Sequence, residues 1–141
     1  GLHMAIEASR RAGMELHFAG PIADQNYVDR MVVPLIGRDT VHRGHLEHEE
    51  LAALLGEGEV CLVTPLWAEP FGLATVESMA VGTPVAALLA GSMGEIVAPQ
   101  AGDLAVHHSA EHSFAESLAH EAELMNRTGS SADQRLLLST S

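Results

Sequence analysis

Val60-Cys61-Leu62-Val63-Thr64-Pro65-Leu66-Trp67-Ala68-Glu69-Pro70-Phe71-Gly72-Leu73-Ala74-Thr75-Val76-Glu77 is the stretch that decides the fold. A short β-branched, apolar run reads as a buried strand over Glu59 to Thr64. A Pro/Gly turn follows. Leu73, Val76 and Ala80 then recur at helical spacing, which predicts a helix over Phe71 to Val81 closed by Gly82 and Pro84. Strand, turn and helix in that order make half of a βαβ unit. Glu69 falls at the strand-to-helix crossing, and Glu77 lies roughly 9 Å farther along the helix at about 1.5 Å per residue. Both side chains, when ionised, only accept hydrogen bonds. Between them the helix N-terminus offers the amides of Phe71, Gly72 and Leu73 and the positive end of a dipole, a setting that favours phosphate oxygens. Gly72 carries no side chain to keep a ligand off that backbone. Hydroxyl-rich groups flanking a phosphate are the ligand chemistry these features suit.

Outward from this stretch, strands and helices alternate. The pattern predicts helix over Gly1 to Arg11 with Gly13 as its stop, strand at Glu15 to Ala19, and helix from Ile22 to Val33. Strand at Thr40 to Arg43 and helix at His48 to Leu55 precede the central unit. Strand at Pro84 to Leu89, a short helix from Glu95, strand at Gly102 to His107 and helix from Ala110 to Asn126 follow it. The expectation is an α/β fold: a single Rossmann-like, doubly wound parallel sheet. Residues 1–127 read as that domain. Residues 128–141, richer in Gly, Ser and Thr, read as a flexible tail with at most a turn at Leu136 to Leu138.

The 141 residues suffice for one domain with a real core and fall short of a two-domain enzyme. A net charge of −12, with seven Arg and no Lys, argues against nucleic acid, which needs a basic footprint. One Cys makes no intramolecular disulfide, and no apolar run reaches spanning length, so a soluble cytoplasmic protein is the default reading. His42, His45 and His48 invite a metal reading, but Ala52 stands where an i,i+4 partner of His48 would be needed, so no metal site is expected. Cys61 reads as a small core residue.

Glu69-Pro70-Phe71-Gly72-Leu73, Glu77, and Met79-Ala80-Val81-Gly82-Thr83-Pro84-Val85 resemble the signature of the retaining glycosyltransferases of the two-Rossmann-domain (GT-B) architecture, family 4 or group 1. Gly91-Ser92-Met93-Gly94-Glu95-Ile96-Val97 resembles that family's Gly-Gly-x-x-Glu loop with one glycine displaced. Likeness extends upstream through Leu16-His17-Phe18-Ala19-Gly20-Pro21 and Val41-His42-Arg43-Gly44, covering about residues 1 to 106. The resemblance implies the C-terminal, donor-binding domain of an enzyme that transfers a hexose from a UDP- or GDP-sugar to an acceptor held by a preceding domain. It implies retention at the anomeric carbon and no metal or cofactor beyond the nucleotide-sugar. By the same resemblance Glu69, the catalytic candidate, contacts a hexose hydroxyl. Glu77 accepts from the ribose hydroxyls, and Phe71, Gly72 and Leu73 face hexose and phosphate through their amides. Gly91 and Glu95 complete the donor loop, and Arg43 lies near the base. Glu95 is equally readable as a helix N-terminal acid, and Arg43 as a partner of acidic neighbours.

In the resembled family a central strand ending in Gly-Arg, then a Lys-Gly pair, leads into the first helix; Gly1 would be that glycine. The expected sheet therefore lacks its first central strand, and either the chain is a fragment or another segment fills the gap. With the gap open, the strands near Phe18 and Leu62 would share no neighbour and favour self-association. Two other classes stand beside the enzyme: a non-catalytic nucleotide- or protein-binding module of the same fold, and a sugar-nucleotide epimerase. A nicotinamide-binding fingerprint is absent, since Gly56 to Gly58 follows a helix instead of a strand.

Overall fold

The computed structural model describes residues 1–97, 102–105 and 135–139. Its elements are α1 (Leu2–Ala12), β1 (Glu15–Ala19), α2 (Gln25–Tyr27), β2 (Thr40–His42), α3 (His48–Glu57), β3 (Val60–Val63), α4 (Leu73–Ala80), β4 (Val85–Leu88), α5 (Met93–Ile96), β5 (Gly102–Ala105) and β6 (Arg135–Ser139). All six strands join one sheet in the order β2-β1-β6-β3-β4-β5, and every pairing is parallel. Helices cover both faces. Leu2, Met4, Ala5, Ile6 and Ala8 of α1 pack with Leu16, Phe18, Leu62 and Leu88 on one side. On the other, Leu55 of α3 and Met93 of α5 pack with Cys61, Val85 and Ala87. Alternation along β3 and β4 thus sends successive side chains into two separate cores, as the period of two requires.

The central place of the sheet corrects the sequence reading. Arg135–Ser139, expected to fray apart from a turn at Leu136 to Leu138, is a strand. Leu16 pairs with Leu136 and Phe18 with Leu138 on one side, while Val60 pairs with Leu136 and Cys61 with Leu137 on the other. The strands around Phe18 and Leu62 therefore do share a neighbour, supplied by the far end of the same sequence. With β6 counted as the first strand, the order is the doubly wound 3-2-1-4-5-6. The reason is ladder satisfaction: β1 and β3 each have one edge that must be paired to be buried, and Leu136-Leu137-Leu138 is an apolar run able to enter it.

The helix expected over Ile22 to Val33 is also rebuilt. It starts later, at Gln25, where the Asp24 carboxylate accepts from the Tyr27 amide at 3.1 Å. It continues as a π turn over Val28–Val32 and a 3-10 turn over Val33–Leu35. Pro34 lacks the amide an α-helix would need there. The helix expected over Ala110 to Asn126 lies outside the described residues.

Candidate functional site

The carboxyl ends of β3 and β4 frame the signature loop. After Val63, the chain passes Thr64 and the exposed Leu66 and Trp67 before Glu69. Gly72 then caps α4 with φ +69°, a left-handed conformation that a side chain disfavours. Glu69 Oε1 accepts from the Gly72 amide at 3.1 Å, closing the turn on itself. The Glu69 carbonyl accepts twice from the facing loop, from the Ser92 amide at 2.8 Å and from Ser92 Oγ at 3.0 Å. Gly91 (φ +60°) makes this approach possible, because a Cβ there would lie 2.2 Å from the Glu69 carbonyl oxygen and 2.5 Å from its amide nitrogen. Gly91, the first glycine of the second motif, is thus the residue that lets the two loops touch.

Gly72 is closely packed on one side. The space beside its Cα is taken by Met93, whose Cε would be 2.3 Å from a Cβ on Gly72. Met93 is fully buried and its sulfur accepts from Thr75 Oγ1 at 3.4 Å. Gly72 is therefore favoured by its left-handed backbone conformation, lies against the tip of Met93, and has its amide engaged by Glu69. Phe71 and Leu73, each 57% exposed, flank it at the start of α4.

Glu77 lies on α4 facing α3, and its Oε1 is 3.5 Å from His48 Nδ1. Its carboxylate is 28% exposed against 80% for the histidine ring, so the pair sits at a rim. His48 opens α3, which follows the carboxyl end of β2, so Glu77 and the Glu69 loop belong to the same edge of the sheet. Sequence reasoning treated His48 as surface; the signal available was the loop-to-helix position that puts it one helix away from Glu77. Glu95 is exposed in the first turn of α5.

Arg43 follows β2, with its amide donating to the Phe18 carbonyl at 2.8 Å. Its guanidinium turns back along the sheet, Nε and Nη2 lying 3.2 and 3.0 Å from His17 Nδ1. His17, buried on β1, contacts the Glu15 carboxylate through Nε2. An imidazole nitrogen that accepts from a guanidinium carries no proton, so neutral His17 is held with its hydrogen on Nε2, donating to Glu15. Arg43 is thus tied into a Glu15–His17–Arg43 row, and neither of its two earlier readings named that partner. Nearby, the Phe18 and His42 rings stack with centroids 4.6 Å apart.

The first turn of α1 closes the central part of this edge. The Gly1 carbonyl accepts from Thr64 Oγ1 at 3.0 Å, and the His3 amide and Nδ1 both meet the Tyr27 hydroxyl. Among the described residues no cluster of metal-ligating side chains forms and no helix is long and apolar enough to cross a membrane.

Residues 2–122 match the family described as "Glycosyl transferases group 1", and the chain belongs to that family. The "MMP alpha-(1->4)-mannosyltransferase" of Mycolicibacterium hassiacum is 35% identical over 99 residues, covering 70% of this chain and 24% of that protein. A "Glycogen synthase" of Mycobacterium tuberculosis is 38% identical over 103 residues, covering 69% and 25%. The chain therefore spans about a quarter of the length of the curated relatives it matches. The crystal structure of AviGT4, a glycosyltransferase involved in avilamycin A biosynthesis, shares the fold with a TM-score of 0.70 and 22% identity, over 89% of this chain and 41% of that one.

Proposed function

We propose that this chain is the donor-binding domain of a retaining glycosyltransferase, which holds a nucleoside-diphosphate hexose while the sugar passes to an acceptor carried by another domain. The observation that carries the reading is the bracing of the Glu69 loop by Gly91 and Ser92 at the carboxyl edge that also bears Glu77. In a doubly wound sheet that edge is where ligands bind. Relatives named as a mannosyltransferase and a glycogen synthase support a hexose donor.

In this reading Glu77 accepts from the ribose hydroxyls and Glu69 from a hexose hydroxyl. Phe71, Gly72 and Leu73 present the positive end of α4 to the pyrophosphate. Glu69 Oε1 already accepts from the Gly72 amide, and the carboxylate's remaining acceptor sites serve a hexose hydroxyl. Arg43, Gly91 and Glu95 border the same edge. The chemistry asked of the protein is positioning of the anomeric carbon and stabilisation of charge on the departing nucleoside diphosphate. No metal or organic cofactor is invoked.

A second reading, a module that binds a nucleotide without turnover, is favoured by one observation: residues 64–97, which carry both site loops, contain no Lys or Arg. Incubating the protein with UDP- and GDP-hexoses and measuring release of the nucleoside diphosphate, with the remaining domain of the enzyme supplied in trans or fused, separates the two. Release of one diphosphate dependent on Glu69 supports the transferase. Saturable binding with no release from any donor favours the module.

A further inference from the structure

We propose that the cavity between Pro65–Ala68 and Leu88–Gly91 is a subsite for one neutral pyranose ring of the acceptor, seated against Trp67. The inference rests on the transferase reading and adds the acceptor's chemical class to it. The cavity holds about 320 Å³ and opens at the carboxyl ends of β3 and β4. That volume lies at the small end of the roughly 300–1,000 Å³ of ligand sites, so it suits a ring-sized group.

Three features of its wall select the group. First, none of the lining side chains is ionisable, and residues 64–97 hold no Lys or Arg. A charged ligand would lose water here without gaining a counter-charge. Second, apolar surface stands open around the cavity: Trp67 is 62% exposed, with Leu66 at 59% and Leu89 at 43%. Third, the peptide groups of Leu66, Trp67 and Ala68 make no hydrogen bond with other described residues. A hydrocarbon filling the cavity would strip water from those donors and acceptors and return nothing. A pyranose meets both demands, because its C–H face is apolar and its hydroxyls lie around the ring edge. The indole supplies a flat apolar face and an N–H donor.

Position links this subsite to the donor. Gly91 lines the cavity and packs on the Glu69 backbone, and Ala68 adjoins both. The loop that carries Glu69, read as the contact to the donor hexose, thus also forms the cavity wall. A ring held there lies beside the sugar to be transferred, so the part of the acceptor nearest the reaction is a neutral sugar.

Trp67 is the single tryptophan of the chain, so tryptophan fluorescence reports this cavity alone. The chain is titrated with maltotriose, α-(1→4)-mannotriose and 1-hexanol, and nitrogen-15 spectra locate each ligand. Expected is saturable binding of at least one sugar in the range of about 0.1–10 mM, with emission moving to shorter wavelength and amide shifts at Trp67, Ala68 and Leu88–Gly91. Trp67→Ala should weaken that sugar by about tenfold or more, and Trp67→Phe by less, since a flat ring remains. Absence of binding by either sugar at about 50 mM overturns the proposal. So do tighter binding of hexanol than of both sugars, amide shifts elsewhere, or an emission change that follows protein concentration without sugar. UDP and GDP, read at the amides of Gly72 and Glu77, test the donor reading independently. Nucleotide shifts without sugar binding refute the subsite alone, and sugar binding without nucleotide shifts refutes the donor reading while the sugar site stands.

Discussion

Replacing Gly91 by Ala should damage the site through Glu69, and the structure supplies its own control. A Cβ at position 91 would sit 2.2 Å from the Glu69 carbonyl oxygen and 2.5 Å from its amide nitrogen. Both are backbone atoms, so no side-chain rotation relieves the contact, and the loop must withdraw by roughly 1 Å to reach normal separation. Withdrawal breaks the 2.8 and 3.0 Å bonds from Ser92, each worth about 0.5–1.5 kcal/mol. The left-handed backbone at φ +60° adds roughly 1–2 kcal/mol for any residue with a Cβ. Gly13 has a similar φ of +68° with nothing within 4 Å of its added Cβ, so Gly13→Ala reports the backbone term alone. The difference between the two variants in urea unfolding should be about 1–3 kcal/mol, with Gly91→Ala the less stable. If Glu69 holds the donor hexose, a 1 Å displacement should also lower turnover by about a hundredfold, while Gly13→Ala leaves it unchanged. Equal stabilities for the two variants, or full activity in Gly91→Ala, would refute the bracing argument.

Ser92→Ala removes only the hydroxyl bond and should cost about 0.5–1.5 kcal/mol in the same unfolding assay, less than Gly91→Ala. His48→Ala should change stability by less than about 0.5 kcal/mol because the pair is at a rim, yet alter ribose discrimination by freeing Glu77, as compared by affinity for ribo and 2′-deoxy nucleotides. In nitrogen-15 spectra, His17 should show its proton on Nε2, and only the combined Glu15→Ala and Arg43→Ala change should weaken that preference.

The sequence made the α/β alternation and the strand-turn-helix at Glu69 legible because both rest on local patterns: a four-residue β-branched and apolar run, a Pro/Gly turn, and a helical repeat. It hid β6 because Leu136-Leu137-Leu138 is too short to show a period, and its partners at Leu16 and Cys61 are distant in sequence. The expected helix ends at Val33, just before Pro34; its later start at Gln25 and its π turn over Val28–Val32 leave no mark in the apolar spacing. Gly91 was singled out by motif, yet its physical role, contact with the Glu69 backbone, needs the fold. Arg43 was placed near a ligand from its loop, and its pairing with His17 could not be read because residues on adjacent parallel strands are far apart in the chain.

The central claim, that the edge carrying Glu69 and Glu77 receives a nucleoside diphosphate sugar, is tested most directly by titrating nitrogen-15 labelled chain with UDP and GDP and with their 2′-deoxy forms. The account predicts that one ribonucleotide shifts the amides of Phe71, Gly72, Leu73, Glu77 and Ser92. The deoxy form should bind more weakly by about 1.5–3 kcal/mol, the scale of a hydrogen bond to a charged group, and Glu77→Gln should lose most of that difference. Shifts confined to other parts of the sheet, or equal affinity for ribo and deoxy forms in the unaltered chain, would contradict it.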